Sequence, residues 1–223
     1  MIGFVVAMEK EAKLFLEKAT KTQEKLIAGK RVFCGKYLDK DFALIISGIG
    51  KVNAALAAQA LIDKFTPDYI INFGVAGGKE NSGLQAGDVV LLDKICQYDF
   101  DLSEIDNVNI GYIQDYDTTY YATAYQRYNG NNFIIKSGAS GDRFTKKSFW
   151  LDIIRELHAH VVDMESGAIA QVATANQIDF FSLKLISDID GKEESIFSQY
   201  LNNVATICNK IPDAIKELVN NIQ

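Results

Sequence analysis

The sequence predicts an α/β fold in which a mixed, largely parallel sheet carries helices on both faces. Short apolar runs of strand character alternate along the chain with longer segments of helical pattern, which is the order expected of an α/β protein. Several of these runs are apolar throughout, as is typical of strands that are covered on both faces. No linker, low-complexity tract or internal repeat divides the 223 residues, so we expect one domain over residues 1–223.

Seven apolar runs are predicted strands. They are short, rich in Val, Ile and Phe, and bounded by glycine or polar residues. In chain order they are IGFVVAM (2–8), FALIISG (42–48), YIINFGVAG (69–77), DVVLLDKI (88–95), NFIIKSGA (132–139), HVVDM (160–164) and FFSLKLISD (180–188).

Five segments between and after these runs are predicted helices. They are EKEAKLFLEKA (9–19), KVNAALAAQALIDKF (51–65), TKKSFWLDIIRELHA (145–159), SGAIAQVATANQ (166–177) and FSQYLNNVATICNKIPDAIKELVNNI (197–222). The first opens with acids, which suit a helix N-terminus, and the second ends before Pro67. Pro212 falls inside the last segment, so we expect that helix to break there.

Residues 98–131 are the least regular part of the sequence. They are acidic and rich in tyrosine, and tyrosine is enriched at protein interfaces. Two interpretations are open: a long loop over a site or a subunit interface, and an ordinary packed surface loop.

Composition and charge exclude several classes of protein. The net charge is -6 and the pI is near 5.0, and no basic cluster is longer than Lys146-Lys147, which argues against binding of nucleic acid or an anionic membrane. No apolar stretch approaches the ~20 residues that span a bilayer. Three widely spaced cysteines predict neither a disulfide framework nor a zinc site. Without a secretory signal pattern at the start, we expect a cytoplasmic protein.

The unusual residues lie at the carboxyl ends of predicted strands, where open α/β sheets bind their ligands. Five ends carry acids or glycines. They are Met8-Glu9-Lys10-Glu11, SGIGK (47–51), FGVAGG (73–78), Met164-Glu165 and Ser187-Asp188. SGIGK lacks the spacing and the Lys-Ser/Thr pair of a phosphate-binding loop.

Each of these features also has a plain structural explanation. Glycines such as Gly77 make tight turns, and Glu11, Glu165 and Asp188 can each serve a helix start or cap a loop. Together they favour a site, because three acids from distant segments meet at one edge of the sheet. Neither histidine lies at a strand end, and no Ser-His-Asp, Cys-His or metal-ligand spacing occurs. Carboxylates alone suit cleavage of a glycosidic bond, by protonating the leaving group, activating water and binding sugar hydroxyls.

A set of seven segments is specific through its order and spacing. The segments are GFVVAMEKEAKLF, SGIGKVNAALAAQALI, INFGVAGG, GDVVLLD, SGDRF, VVDMESGAIAQV and LISDIDG, which together span residues 2 to about 200. This set resembles the 5'-methylthioadenosine/S-adenosylhomocysteine nucleosidase family within the nucleoside phosphorylase superfamily. The resemblance implies a three-layer α/β/α fold, a homodimer, no cofactor, and hydrolysis that releases adenine from 5'-thioribosyl nucleosides. It leaves 5'-deoxyadenosine as a further candidate substrate.

The resemblance assigns the catalytic roles to the matching acids. The water-activating base falls on Glu11, the acid that assists protonation of adenine N7 falls on Asp188, and the carboxylate that binds the ribose hydroxyls falls on Glu165. Adenine is a poor leaving group as an anion, so Asp188 must hold a proton when the bond breaks. Glu11 must stay ionised to deprotonate water, so the two environments must separate the two pKa values.

The resemblance also implies a set of substrate contacts. Met164 packs against the sugar, Phe144 stacks on adenine, and Thr145 meets the purine edge through its backbone. The pocket for the 5'-alkylthio group draws on Met8, Ile49, Leu102, Ile105 and Phe197. Gly77, Lys184 and Ser187 complete the predicted substrate-binding set.

Three positions depart from the family pattern. Lys184 stands where the family has an arginine, Val75 where a serine is common, and Asp163 where a glutamate is usual. A point-like ammonium cannot make the planar two-pronged contact of a guanidinium. We expect Glu165→Gln to impair catalysis far more than Asp163→Asn.

Three alternative functions stay open at this point. One is a phosphorolytic purine nucleoside phosphorylase, which needs several cationic groups around its phosphate; the chain has four arginines, none of them in SGIGK or FGVAGG. Another is a futalosine-type nucleosidase. The last is a non-catalytic nucleoside-binding protein that keeps the fold.

Overall fold

The computed structural model describes residues 1–144, 148–192 and 194–223, which form ten strands and seven α-helices. The strands are β1 (Ile2–Val6), β2 (Thr20–Ile27), β3 (Lys30–Tyr37), β4 (Lys40–Ile46), β5 (Tyr69–Gly78), β6 (Val89–Gln97), β7 (Tyr121–Ala122), β8 (Ile134–Ser140), β9 (Val161–Asp163) and β10 (Asp179–Ile189). The helices are α1 (Glu9–Lys18), α2 (Lys51–Phe65), α3 (Ser103–Asp106), α4 (Ser148–Glu156), α5 (Ser166–Ala175), α6 (Ile196–Cys208) and α7 (Ile211–Asn221).

The strands form one mixed sheet in the order β10-β6-β8-β9-β5-β1-β4-β3-β2, and β7 pairs with β6. Parallel pairs join β4 to β1, β1 to β5, β5 to β10, β6 to β8 and β8 to β9. Since β10 also pairs with β5, the strands β5, β9, β8, β6 and β10 close into a ring. The predicted mixed α/β sheet is confirmed.

Helices cover both faces of this sheet and complete a three-layer α/β/α arrangement. On one face Phe4 and Val6 of β1 pack with residues of α1, α6 and α7, and the ring of Phe15 lies 4.7 Å from that of Phe4 between centroids. On the other face Val5 packs with residues of α2 and α5. Alternate side chains of one short strand thus enter two cores, which explains why the strand reads as apolar throughout.

The seven predicted strands are confirmed as β1, β4, β5, β6, β8, β9 and β10. The prediction missed β2 and β3, a hairpin at the sheet edge. Its sequence, TKTQEKLI followed by KRVFCGKY, is rich in lysine, as edge strands often are to prevent further pairing. The expected break in the last helix is also confirmed: α6 ends at Cys208, and Pro212 lies in the first turn of α7.

Residues 98–131 are mostly irregular, as expected, and contain α3, two single 3-10 turns and the short β7. Tyr98 and Tyr121 of this region are buried. None of the helices within the described ranges is both long enough and apolar enough to span a membrane.

Candidate active site

A cavity of about 530 Å³ opens beyond the carboxyl ends of β1, β5, β9 and β10, a volume usual for a small-molecule site. Ten of the predicted site residues line it. They are Met8, Glu11, Ile49, Gly77, Phe144, Met164, Glu165, Ser187, Asp188 and Phe197. The sheet therefore gathers at one edge the acids that lie far apart in sequence.

Glu11 lies in the first turn of α1, and only 2% of it is exposed. Its Oε1 accepts a hydrogen bond from the Val75 N–H (2.9 Å), and its Oε2 accepts one from the Met8 N–H (3.0 Å). Burial raises the pKa of Glu11, whereas these N–H groups and the charge of Lys184 limit the rise by stabilising the carboxylate. The result is a fixed, buried carboxylate with raised proton affinity.

Asp188 is the penultimate residue of β10 and is buried. The register between β10 and β5 shifts after Ile186, so that Asp188 pairs with Gly77; such irregularities re-aim side chains beside active sites. The Ser187 hydroxyl donates to Asp188 Oδ1 (2.6 Å). Burial raises the pKa of Asp188, the Ser187 hydrogen bond opposes the rise, and the charge of Asp190 adds to it. The environment therefore favours the protonated acid.

Glu165 immediately precedes α5, and its Oε1 accepts a hydrogen bond from the Gly50 N–H (2.9 Å) at the start of α2. Burial, together with the nearby charge of Asp163, raises the pKa of Glu165 to about 7. Glu165 is thus poised between its two protonation states near neutral pH.

Asp163, two residues earlier, is buried and fully engaged with the protein. It forms an ion pair with Lys184 (Oδ2 to Nζ, 2.7 Å) and accepts hydrogen bonds from Ser140 and from the N–H and hydroxyl of Ser166. Burial would raise the pKa of Asp163, but the charge of Lys184 and these hydrogen bonds bring it below its ordinary value. Asp163 therefore stays ionised at neutral pH, whereas Glu165 is divided between its two protonation states.

Lys184 differs from the expectation of substrate contact, because it does not line the cavity. Its ammonium donates to Asn72 Oδ1 and pairs with Asp163 behind the cavity wall. The two neighbouring acceptors hold the point-like cation inside the sheet, and only 2% of the residue is exposed.

The glycines of FGVAGG make room for the acids. A Cβ on Gly74 would lie 2.6 Å from Glu11 Oε1, and one on Gly77 would lie 3.1 Å from Asp188 Oδ2. Both glycines belong to β5 and have no left-handed φ, so the tight-turn explanation does not apply to them. It does apply to Gly50, whose φ is 99°.

The apolar wall contains residues that sequence reasoning missed. They are Leu151 and Ile154 of α4 and Ile196 and Tyr200 of α6. The rings of Tyr200 and Phe144 lie 6.4 Å apart between centroids, close to edge-to-face. These helices reach the cavity by tertiary packing, and no strand-end signal marks them in the sequence.

Three charged residues that were not predicted also line the cavity: Lys79, Arg143 and Asp190. Lys79 follows β5, and Asp190 follows β10; the two form an ion pair. The only sequence signal for these two is their position directly after strands that carry other site residues.

Besides Lys184, three further predicted contacts are not placed at this cavity. Leu102 and Ile105 do not line it, and Ile105 is 79% exposed at α3. Thr145 lies outside the described residues.

Comparisons with known proteins found a matching family model and similar relatives. The family model described as phosphorylase superfamily matches residues 1–220. A 5'-methylthioadenosine/S-adenosylhomocysteine nucleosidase of Marinomonas sp. (strain MWYL1) is 33% identical over 217 residues, which cover 92% of this chain and 93% of that protein.

Two solved structures share the fold. The 5'-methylthioadenosine/S-adenosylhomocysteine nucleosidase from Neisseria meningitidis in complex with methylthio-immucillin-A has a TM-score of 0.86 and 26% identity, covering 99% of both chains. The native futalosine hydrolase of Helicobacter pylori strain 26695 has a TM-score of 0.88 and 25% identity, covering 99% of this chain and 97% of the other. From the family model and the curated relative together, the chain belongs to the 5'-methylthioadenosine/S-adenosylhomocysteine nucleosidase family of the phosphorylase superfamily.

Proposed function

We propose that the protein hydrolyses the N-glycosidic bond of 5'-methylthioadenosine and S-adenosylhomocysteine, with 5'-deoxyadenosine as a further substrate. The observation that carries the proposal is the convergence of Glu11, Glu165 and Asp188 on one cavity. In the reaction the C1'–N9 bond breaks, adenine leaves after protonation, and a water oxygen bonds to C1'. The relative from Marinomonas bears the name of this activity.

Asp188 is proposed as the acid that protonates adenine N7. The bond electrons flow into the purine as it departs, and a proton at N7 neutralises that charge. The burial of Asp188 and the negative charge of Asp190 favour a proton on the carboxyl before the reaction. The Ser187 hydroxyl fixes the orientation of the carboxyl through Oδ1.

Glu11 is proposed as the base that activates water, and Glu165 as the ribose-binding group. Glu11 has both oxygens fixed by backbone N–H groups, so it is pre-oriented and needs no reorganisation to accept a proton. Its raised pKa makes it a stronger base than an exposed glutamate. Glu165, ionised on binding, would accept from the ribose hydroxyls and stabilise the positive charge that develops on the sugar.

The apolar wall is proposed to hold the adenine ring and the 5' substituent. Phe144 offers a face for stacking, and Met8, Ile49 and Phe197 lie where an alkylthio group can be buried. An open apolar side tolerates substituents of different length, which fits the use of both proposed thio-nucleosides.

Phosphorolysis is disfavoured because the N–H groups at the start of α2 already bind carboxylates. The Gly50 N–H donates to Glu165 and the Lys51 N–H donates to Asp142 (2.7 Å). The Lys51 ammonium pairs with Asp99 (2.6 Å). A phosphate placed here would meet acids instead of the cations that it requires.

The arginines lead to the same conclusion. Three of the four pair with carboxylates outside the cavity: Arg31 with Glu9 and Glu24, Arg127 with Asp179, and Arg155 with Asp152. Arg143 does line the cavity, where it lies over the Trp150 ring at 3.9 Å, but a single arginine falls short of the several cationic groups that a phosphate requires. Hydrolysis is therefore favoured over phosphorolysis.

A futalosine-type nucleoside is the second candidate substrate. The observation that favours it is the likeness to the futalosine hydrolase of Helicobacter pylori over 99% of this chain. Such a substrate carries a different base and 5' group, so the same acids would act and the cavity wall would decide the preference.

We also propose a cytoplasmic homodimer. An apolar stripe at the start of α2, formed by Ile49 just before the helix and by Val52 and Leu56 on it, is exposed next to the cavity, and Val52 is 79% exposed. Exposed apolar stripes of this kind mark protein interfaces. If two copies meet through this stripe, each α3 can bring Leu102 and Ile105 to the open side of the neighbouring cavity, which would account for the two predicted contacts missing from their own chain.

The test is base release from a panel of nucleosides with and without phosphate. The purified protein would be incubated with 5'-methylthioadenosine, S-adenosylhomocysteine, 5'-deoxyadenosine and a futalosine-type nucleoside. We expect adenine from the first two at rates that phosphate leaves unchanged. Binding of these nucleosides without release of any base would support the non-catalytic alternative and overturn the proposal.

A further inference from the structure

The buried ammonium of Lys184 is a feature that contact with substrate does not explain. Four carboxylates are buried around the cavity, those of Glu11, Asp163, Glu165 and Asp188. Among the lysines and arginines whose side chains the structure describes, Lys184 is the only buried one. A buried cation is costly unless it is paired and hydrogen-bonded, so its place in the site needs a reason.

Lys184 is held at a defined position by two partners. Its Nζ lies 2.7 Å from Asp163 Oδ2 and donates to Asn72 Oδ1. The Asn72 Nδ2 donates to the Val5 carbonyl (2.9 Å), which turns the amide oxygen toward the ammonium. The cation is thus fixed to the middle of the sheet and not to a mobile loop.

Asp163 connects the ion pair to the start of α5 through hydrogen bonds. Its Oδ2 accepts from the Ser166 N–H (3.1 Å), and its Oδ1 accepts from the Ser166 hydroxyl (2.9 Å). Ser140, which donates to Asp163, also accepts from the Gly167 N–H (2.7 Å). Glu165 lies within this turn, so its backbone position depends on the ion pair.

The charged groups around Glu11 give Lys184 a second effect. Lys184 pairs with Gly74 between β10 and β5, and a Cβ on Gly74 would lie 2.6 Å from Glu11 Oε1, so the two strands bring Lys184 to the side on which Glu11 lies. The other groups near Glu11 are Lys10 on the same helix, Glu165 before α5 and the neutral thiol of Cys208 on α6. Lys10 is exposed, so water screens its charge. Lys184 is therefore the buried positive charge that limits the rise in the pKa of Glu11 caused by burial.

We propose that Lys184 is a positioning residue of the nucleosidase site, which orients Glu165 through Asp163 and places a buried positive charge beside Glu11 without touching the substrate. The proposal rests on the proposed function for the roles of these two glutamates. It differs from the expectation drawn from the resemblance, which placed Lys184 among the residues that bind the substrate.

The test compares two variants that remove the ion pair in different ways. Asp163→Asn keeps the cation, with the amide oxygens of Asn72 and of the new asparagine as its acceptors, whereas Lys184→Met with Asp163→Asn removes both charges. Lys184→Met alone strands a buried carboxylate and is expected to unfold more easily, so the double variant takes its place. Circular dichroism would confirm that both variants keep the fold.

The primary readout is the pKa of the Glu11 carboxyl in the unliganded protein. It can be followed by carbon-13 NMR of glutamate-labelled protein, with the Glu11 signal identified by its loss in Glu11→Gln. We expect the pKa in the double variant to be higher than in Asp163→Asn by about one unit, a tenfold change in the ionisation ratio. Equal pKa values in the two variants would overturn the proposal.

Kinetics supply the second readout. In the double variant the acidic limb of the pH profile of kcat/KM should move to higher pH, and kcat should fall by about tenfold or more. Lys184→Arg keeps a cation at this position, so its acidic limb should lie at the same pH as in the wild type. Unchanged kcat and limb would contradict a positioning role. Since the NMR comparison needs no substrate, failure of the wild type to release adenine would overturn the proposed function without deciding this question.

Discussion

The three acids with proposed roles in the reaction are the same chemical group in three different environments. Asp188 has a single hydroxyl donor and a negative neighbour, and Glu11 has two backbone donors. Glu165 has one backbone donor and lies beside the charge of Asp163. Because a carboxylate is stabilised by donors and cations and destabilised by burial and like charge, these partners suit the three acids to different roles.

Replacing Asp188 with asparagine should remove the proton donor while keeping the size of the side chain. We expect kcat for adenine release to fall by about 10³-fold, within the usual range for a general acid. The measurement is steady-state adenine release at the pH optimum. A fall of less than about tenfold would contradict the assigned role.

Asp190→Asn is the matched comparison, because Asp190 also lines the cavity but its charge raises the pKa of Asp188 only from a distance. Loss of that charge lowers the pKa of Asp188, so the acid is deprotonated at lower pH. The alkaline limb of kcat/KM should therefore move to lower pH, while kcat at the optimum stays within about tenfold of the wild type. A shift of the alkaline limb to higher pH would contradict the expected effect of the Asp190 charge on the pKa of Asp188.

Glu165→Gln should stabilise the protein at alkaline pH. The pKa of Glu165 rises from 4.5 to about 7 on folding, so its contribution to stability is fully present below pH 4.5 and is lost as the pH rises through 7. The glutamine is neutral and can still accept from Gly50. At pH 8 we expect a gain of about 1–3 kcal/mol in the free energy of unfolding, with loss of catalysis.

Urea unfolding at pH 5 and pH 8 would measure this gain. Glu104→Gln is the control, since Glu104 is exposed and its replacement should change stability little at either pH. If Glu165→Gln gives the same gain at both pH values, the raised pKa is not its cause.

At the scale of the element, β5 places its glycines beneath the acids of its neighbours. Gly74→Ala would put a Cβ 2.6 Å from Glu11 Oε1, and the carboxylate would have to leave its two backbone donors. We expect kcat to fall by about 10²-fold with a smaller change in KM, as for loss of a pre-oriented group. Adenine-release kinetics would measure both.

Gly29→Ala is the control for the effect of adding a methyl group. Gly29 lies in the turn between β2 and β3 with a φ of 72° and nothing within 4 Å of the added Cβ. The left-handed conformation costs an alanine about 1–2 kcal/mol, so this variant should lose stability and keep its kcat. Similar losses of kcat in both variants would mean that Gly74 acts only through stability.

The elements show which features the sequence could predict. β1 and β5 were predictable because burial on both faces leaves a continuous apolar run. The β2–β3 hairpin was missed because an edge strand needs polar side chains, which hide its pattern. The role of Gly74 was also hidden, since it depends on a carboxylate from another element.

The candidate site also combines features that the sequence could predict with features that it could not. Glu11, Glu165 and Asp188 were predictable as acids at strand ends, because parallel strands bring their carboxyl ends to one edge. The burial of Lys184 was not predictable, since it follows from the pairing of β9, β10 and β5 around Asp163 and Asn72. Tertiary packing decides which charge faces a cavity and which faces a buried partner.

At the scale of the whole molecule, the apolar stripe at the start of α2 should control the association of two chains. Val52→Glu places a charge in the stripe, and we expect it to shift the protein from dimer to monomer, because a charge buried at an interface without a partner is costly. Sedimentation equilibrium would measure the mass. Leu26→Glu is the matched control, since Leu26 is 71% exposed on the β2–β3 hairpin and should leave the mass unchanged.

The effect on activity tests the proposed link between the dimer and the cavity. If Leu102 and Ile105 reach the neighbouring cavity, the monomeric Val52→Glu variant should have a raised KM for 5'-methylthioadenosine. A wild type that is already monomeric, or a variant that remains dimeric, would contradict the proposed surface.

The central claim is that a site built from carboxylates transfers water, and not phosphate, to the sugar. Incubation of the protein with 5'-methylthioadenosine in ¹⁸O-labelled water, with phosphate present, tests it most directly by mass spectrometry of the products. We expect free adenine and a 5-methylthioribose that carries ¹⁸O from the solvent, formed in the initial phase at a rate unaffected by phosphate. A sugar 1-phosphate, or no release of adenine, would contradict it.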